Sequence, residues 1–586
     1  DLDTWIVKSV TPPSLGEDTF LANGTSRTGT VARILVPSQS LSAYKTADRW
    51  SSFSGSMEAL DMTSSTAHLT VKGVCVDVRT WGLGGSKHTT VFPIDKSAQI
   101  LFPDVTGNLP AEIKYSRYAT SFRSVTGIES VKASAATTIT IATPASPGAS
   151  SGWTRTSSSM KISGTEYFFY TKQYTKAQAD SGYWLPVPSK EGFSTLVFNT
   201  AGDITVDCPD PPVTIIDKAS ELRTITINHP NITILPDGSY LAAQTCSNIS
   251  TSIYRSVDRG VSWTKFGVVP GEFHYGSLCP IADAVYYLGT DAADGNIVII
   301  RSTDKGKTWG GRTVLFNRSA DVDDYGYHAA PSPWVTHRGR VYKAFSYRYD
   351  KESRRPWGTL LISAPLDADL MDPRSWTMSN ILFYDNYVPS VPSLFRGEEP
   401  CVFEDRDGGL RILLRLDDTG LTEYASLFKV VDYKTIAYEK TFVMPGSSKK
   451  FQVFWDKQSG KYWSVVSPTF ARDLSYGLNA CQTRNAYSLI SSTNLQDWKI
   501  EHTCIYSDNP YTNGYHYIDW CFDGDDIVSC FRCSFDESRG MAYSAHDSNG
   551  FGFFRVKDFR NASAVPTIYV DTPVTTGYPS VPQSYL

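Results

Sequence analysis

The 586-residue sequence contains no apolar run approaching 18 residues, the length that a membrane-crossing helix needs. It has no excess of charge, with 55 basic residues against 60 acidic ones. No basic run invites nucleic acid, and no acidic tail marks a disordered arm. Successive 12-residue helical periods are missing between the strand-like segments, which argues against a parallel α/β fold. The ten cysteines are scattered. The one close pair, Cys530 and Cys533, falls in an apparent strand, where residues three apart point to opposite faces. With no second pair, no zinc site is expected, and no other metal or cofactor. The chain opens Asp-Leu-Asp-Thr-Trp, with no charged or apolar leader, and is read as processed or truncated.

What is present is aromatic and strand-rich. Aromatics make up 13% of the chain, as in all-β proteins and proteins that stack on sugar rings. Three regions are expected: a small cap (1–65), a β-rich accessory domain (66–215) and a repeat region (216–586). In the cap, Ala32–Pro37 reads as a strand and Ser40–Trp50 as a short helix with Ser40 at its N-cap. The accessory domain alternates in strand fashion and offers Trp153, Tyr183 and Trp184 as surfaces for sugar. Prolines near 209–212 mark a linker.

In the repeat region, Ser256–Trp263 and Ser302–Trp309 share the pattern Ser-x-Asp-x-Gly-x-Ser/Thr-Trp. Asp or Ser closes a turn on its own backbone, and Gly supplies the positive φ. Ser491–Trp498 keeps the Ser and Trp but not the Asp and Gly. A polar turn leads into a β-rich strand six times, near 238, 284, 339, 408, 460 and 525. Four short strands and their turns need about 40–50 residues, so six repeats of that size, with insertions, are expected.

The pattern resembles the Asp-box of the sialidase superfamily, whose members are β-propellers. The strings Tyr327–Pro331, Gly446–Phe451, Thr483–Asn485 and Tyr517–Asp526 resemble bacterial sialidase-like glycan hydrolases over 220–570. The cap resembles the closing unit of leucine-rich-repeat proteins on the surface of gut Bacteroidetes, which implies an extracellular or surface setting. The expected fold is all-β: a six-bladed β-propeller preceded by a β-sandwich-like accessory domain and a small N-terminal α+β cap.

A propeller gathers one small cluster per blade into a funnel. The candidates are His229; Glu272 with His274, two apart on one strand face; His328, whose ordinary pKa is near working pH; Glu399 with Arg415; Lys449 or Lys450 with Arg484; and Tyr515, Tyr517 and Asp519 with Arg532. Strand alternation predicts that only one of Glu398 and Glu399 faces the funnel, and Glu399 is favoured. It also puts Tyr515, Tyr517 and Asp519 on one face. The resemblance implies a Tyr–Glu nucleophile pair, which Tyr515 or Tyr517 would form with Glu399. It also implies an arginine before the Ile-Pro of the first blade, clamping the sialic acid carboxylate. This chain has Asn228 there, and Asn cannot make that charged bidentate bond.

The expected function is an exo-acting glycoside hydrolase of the sialidase superfamily, but not a standard sialidase. Its substrate would be an oligo- or polysaccharide. Glu399 would be the acid/base, partnered by Asp519 or a tyrosine. Arg484, Arg532 and Lys449 would hold an anionic or polyhydroxylated sugar. Two alternatives stand beside it: a polysaccharide lyase using His328 or a tyrosine as base on a uronate, and a non-catalytic glycan-binding adhesin or phage receptor-binding protein.

Overall fold

A computed structural model describes residues 4–6, 11–12, 33–37, 40–47, 50–60, 67–73, 75–80, 89–91, 99–101, 117–121, 128–162, 165–190, 193, 195–199, 202–208, 210–220, 222, 225–246, 250–319, 326–348, 357–383, 394–418, 422–565 and 567–569. The chain divides into two compact units. One comprises 1–91, 99–209 and 537–541; the other comprises 92–98, 210–536 and 542–586.

The first unit begins with three parallel strands, Thr4–Ile6, Arg33–Pro37 and Met57–Leu60. The short helix Leu41–Thr46 buries Tyr44 against Ile34, Val36 and Trp50. Ser40 precedes this helix, but its side chain makes no capping bond. Beyond the helix the chain tightens into a 3-10 turn, Trp50–Ser56, so the predicted helix ends early. Two further sheets follow, of six and four strands. They share one apolar core, in which Leu69, Val71 and Val131 of the smaller sheet meet Ile139, Ile141 and Val197 of the larger. Trp184 carries the Lys132 ammonium 4.5 Å from its ring, and Trp153 carries Lys172 at 5.9 Å. These rings pack against lysines.

The second unit is built of antiparallel sheets, six among the described residues. Sheet 1 runs Ile227–Ile234, Tyr240–Cys246, Ser250–Ser256 and Thr264–Val269. Sheet 2 runs His274–Ile281, Ala284–Thr290, Ile297–Ser302 and Thr313–Phe316. In sheet 3 the first strand is split into Gly326–His328 and Val335–His337, both paired with Arg340–Arg348. Sheets 4, 5 and 6 start at Leu394–Glu404, Val453–Asp456 and Gly514–Asp523. Thr214–Lys218, from the start of the unit, pairs with Gly550–Val556 and becomes the fourth strand of sheet 6. The first strands also pack on one another: that of sheet 1 touches those of sheets 2 and 6, and that of sheet 4 touches those of sheets 3 and 5. Most of these strands are buried on both faces, which suits their long apolar runs.

The two repeated turns join the third and fourth strands of sheets 1 and 2. In the first, the Ser256 hydroxyl donates to Asp258 (2.8 Å) and accepts from the Gly260 amide (2.8 Å); Asp258 also accepts from the Ser262 amide (2.9 Å). The second repeats this with Ser302, Asp304, Gly306 and Thr308. In the decayed copy the turn survives, but one residue later than the sequence alignment places it. Ser492, not Ser491, is the anchor, and Asn494 replaces the Asp, accepting from the Gln496 and Asp497 amides. Leu495 takes the left-handed φ of +59° that Arg259 (+59°) and Lys305 (+62°) take.

These turns also clasp neighbouring sheets. Arg259 reaches Asp523 of sheet 6 (2.5 Å), and Lys305 reaches Asp237 of sheet 1 (2.7 Å). Arg406 of sheet 4 donates to the Thr493 carbonyl of sheet 5 (3.0 Å). Backbone meets backbone at Gly267 of sheet 1, where an added Cβ would lie 2.4 Å from the Gly306 carbonyl oxygen and 2.7 Å from that of Lys307. Backbone cannot swing aside as a side chain can. Gly267→Ala should therefore destabilise the unit by about 1–3 kcal/mol in urea unfolding, whereas Gly311→Ala, with open space around the new methyl, should leave the midpoint unchanged.

Candidate active site

The first strands of sheets 1, 2, 4 and 6 break at the same place. Each has one extra residue against its partner strand, after Asn228, His274, Glu398 and His516 respectively. The residue that follows is left-handed in every case: His229 (φ 49°), Tyr275 (55°), Glu399 (58°) and Tyr517 (52°). Such a bulge bends the strand and re-aims its side chains. Simple alternation therefore fails here. Glu398 and Glu399, expected on opposite faces, both reach Arg415, at 3.4 and 2.5 Å. Tyr515 and Tyr517, expected on one face, separate. Tyr515 packs into the apolar cluster with Phe531, while Tyr517 turns to Glu399.

The Tyr517 hydroxyl donates to Glu399 Oε1 at 2.8 Å, and Arg415 Nη1 donates to Glu399 Oε2 at 2.5 Å. All three side chains are buried. Burial alone would raise the Glu399 carboxyl, but Arg415 and His328, with the hydrogen bonds from Arg415 and Tyr517, hold it well below the usual range. Burial, with the Glu399 charge, pushes the Tyr517 phenol up, and Arg415, Arg532 and Arg484 pull it back. Arg415 is fixed by the Ser448 carbonyl (3.0 Å) and by Asp417 (3.6 Å) as well as by the two glutamates.

Two more guanidiniums surround Tyr517. Arg532 lies 4.1 Å from its ring centroid and Arg484 lies 5.8 Å away. Both are buried. Arg484 donates to His516 Nδ1 (3.0 Å) and Arg532 to the His546 carbonyl (3.4 Å), and the Nε of each has no hydrogen-bond partner. Neither forms an ion pair among the described residues. Asp547, whose charge reaches both, is held by His546 (2.7 Å). Burial accordingly lowers both guanidiniums. A buried charge without a counterion is costly, and here two of them flank one phenol.

A second group of side chains is histidine and aromatic. His328 Nδ1 hydrogen-bonds Asp294 (2.8 Å), which also takes Arg348 (3.3 Å). The His328 ring lies 4.1 Å from Tyr275 and 5.0 Å from Trp357. His274 bonds Glu272 at 2.6 Å. His229 is buried, its Nδ1 is unpartnered, and burial with Arg532 nearby holds it neutral. Asn228 is occupied locally, donating to the Thr226 hydroxyl at 3.1 Å.

Other expected residues lie elsewhere. The Lys449 ammonium donates to Glu423 (2.6 Å), the Thr469 hydroxyl (3.1 Å) and the Ala480 carbonyl (2.9 Å), which uses all its protons inside the protein. Asp519 accepts from Asn231 (2.7 Å), the Ile232 amide (2.8 Å) and Lys450 (3.3 Å), so it ties sheets together and does not meet Glu399. Glu398 was set aside on strand alternation, and Tyr275 and Asp294 escaped the sequence reading. The recurring polar pairs Asn228-His229, His274-Tyr275, Glu398-Glu399 and His516-Tyr517, each at the same point of a first strand, are the signal that finds the first two. Asp294 sits in a turn with no such mark.

No family model matches the sequence, and no curated protein matches it. Solved structures of similar shape are the alpha-L-arabinofuranosidase Arb93A of Fusarium graminearum with an iminosugar inhibitor (13% identity, TM-score 0.37, covering 60% of this chain and 97% of that one), a Trypanosoma rangeli sialidase with sialic acid (14%, 0.40, 59% and 57%) and the Hadza microbial sialidase Hz136 (11%, 0.39, 68% and 77%).

The ion-pair inventory predicts opposite responses to the same substitution. Arg415→Met strands three buried carboxylates and should cost about 3–5 kcal/mol. Arg532→Met removes a charge that has no carboxylate and should leave the unfolding midpoint unchanged or raise it. Equal losses in calorimetry would refute this. A second expectation concerns acid. His516 accepts from Arg484, and burial and that cation hold its pKa well below 6.5. The unfolded chain therefore binds the extra proton, and stability is full above pH 6.5 and falls below it. His516→Gln should flatten that slope between pH 6.5 and 4.5.

Proposed function

We propose that the protein is a glycoside hydrolase that releases an anionic sugar, with Tyr517 as nucleophile and Glu399 as the base that takes its proton. The observation that carries this reading is the Tyr517–Glu399 hydrogen bond of 2.8 Å inside a set of three buried guanidiniums. A neutral phenol attacks poorly, but a paired ionised carboxylate can accept its proton as the new bond forms. The guanidiniums of Arg484 and Arg532 suit a carboxylate or sulfate on the sugar, which would supply the missing counter-anion. Asn228, bound to Thr226, offers no third cation for a sialic acid carboxylate, so a uronic acid or sulfated sugar is the better candidate. Glu399 is then the base toward Tyr517, and not the general acid that the sequence suggested.

In this reading the six sheets are the blades of a six-bladed propeller spanning 216–586, closed by the Thr214–Lys218 strand, and the repeated turns are Asp-boxes. The protein works outside the cell or at a cell surface, where glycans are met.

The test is a screen of sialosides, uronate polymers and sulfated glycans that reads released sugar and ultraviolet absorbance together. We expect released reducing sugar without a new absorbance, and a fall on the order of 10²–10⁴ in kcat for Glu399→Gln, with Tyr517→Phe at least as impaired. A rising absorbance would mean elimination and a lyase. Glycan binding without turnover, unchanged in Glu399→Gln, would mean a binding protein.

A further inference from the structure

A hydrolase of this kind needs a second group, one that gives a proton to the departing oxygen. The site narrows the choice. Glu399 is ionised against Arg415, and Glu398 lies 3.4 Å from the same guanidinium. Asp294 is ionised too: burial raises it, but the His328 hydrogen bond and Arg348 hold it low. His229 and His516 are neutral, kept so by burial and by neighbouring arginines. Asp519 is enclosed by Asn231, Ile232 and Lys450. That leaves His328, which lies between the Asp294 and Glu398 carboxylates.

We propose that His328, oriented by Asp294, is the proton donor to the leaving group, a role usually filled by a carboxylic acid. This rests on the hydrolase reading above. The geometry supports it at three points. Asp294 takes His328 Nδ1 at 2.8 Å and is itself anchored by Arg348 at 3.3 Å, so the ring has one orientation. A tilted contact with Tyr275 and the edge contact with Trp357 hold its plane. Nε2, the remaining nitrogen, lies 3.8 Å from Glu398 Oε2, beyond hydrogen-bond range. That N–H is therefore available to a ligand oxygen while the carboxylate still favours its charge. Burial lowers the imidazolium, but Asp294, Glu398 and Glu399 outweigh it and raise its pKa above the ordinary value. The other groups around the ring are Tyr275 of sheet 2, Arg348 and Trp357 of sheet 3, and the neutral His229 of sheet 1.

The step balances. Tyr517 Oη bonds to the anomeric carbon and passes its proton to Glu399. The glycosidic carbon–oxygen bond breaks, its electron pair stays on the leaving oxygen, and the His328 Nε2 proton joins that oxygen. Water then attacks the anomeric carbon and gives its proton to the neutral His328, the carbon–Tyr517 bond breaks, and Glu399 returns its proton to the phenol.

Leaving-group dependence tests this directly. The probes are 2,4-dinitrophenyl and methyl glycosides of sialic, glucuronic and galacturonic acids and of galactose 6-sulfate. His328→Gln should lower kcat/KM, which reports the first step, by roughly 10²–10⁴ for a methyl glycoside and less than tenfold for the dinitrophenyl glycoside of the same sugar, because dinitrophenolate leaves without a proton. Tyr517→Phe should slow both. Asp294→Asn, which keeps the ring in place but removes its charge, should move the alkaline limb of kcat/KM to lower pH, since loss of the carboxylate lets His328 deprotonate sooner. Equal slowing of both glycosides by His328→Gln, or an unmoved alkaline limb in Asp294→Asn, would overturn the proposal while leaving the Tyr517–Glu399 pair intact. Absence of turnover by the wild-type protein on every probe would overturn the hydrolase reading, and this inference with it.

Discussion

One backbone constraint sets the site: a left-handed, non-glycine residue in the first strand of four sheets. Each such residue costs about 1–3 kcal/mol and persists only where its surroundings impose it. In return, two consecutive side chains can serve one space. Glu398 and Glu399 share Arg415 through such a break, and His516 and Tyr517 meet Arg484 and Glu399 through another. The residue paired across from the start of the break is Arg415 in sheet 4 and Arg532 in sheet 6, so two of the three guanidiniums hold corresponding positions. In sheets 1 and 2 the same positions are Thr245 and Thr290, and there the wall is uncharged. One repeated distortion with different side chains yields a cationic half and a histidine half.

The uneven distribution of charge follows. Arg415 absorbs Glu399, Glu398 and Asp417, which leaves Arg484 and Arg532 without carboxylates. Arg484 and Arg532 meet Asp547 only through its longer-range charge, and a separate polar network ties the sheets together. Asn231 joins Asp519 to the Leu278 amide (2.6 Å), and Lys450 joins Asp519 to the Ile518 carbonyl (2.5 Å). Those bonds link sheets 1, 2 and 6 with the segment entering sheet 5.

Much of this was legible in the sequence, and the failures have physical causes. The repeated turns and the recurring hairpin starts correspond to sheets that are present. Glu399, His328, Arg415, Arg484, Arg532 and Tyr517 were all named, because charged or titratable residues next to buried strands are conspicuous. Period-two alternation misplaced Glu398 and Tyr515, because an inserted left-handed residue resets the phase. The decayed turn was misread by one position, because Asn494 can do the work of Asp and Leu495 can adopt a glycine-like φ. Lys449 looked like a ligand because its partner Glu423 lies 26 residues earlier. Asp294 was invisible because its partner His328 is 34 residues away, and nothing local marks it.

The account turns on Tyr517 as the group that bonds to the sugar. The direct measurement is intact-mass and peptide mapping after incubation with 2,3-difluorosialic acid and the 2-deoxy-2-fluoro glycosyl fluorides of glucuronic and galacturonic acids, whose fluorine beside the anomeric carbon slows the release of a glycosyl-enzyme. The account predicts one adduct per chain, on the peptide that carries Tyr517, and none in Tyr517→Phe. An adduct on Glu398 or Glu399, or turnover with no covalent species at all, would contradict it.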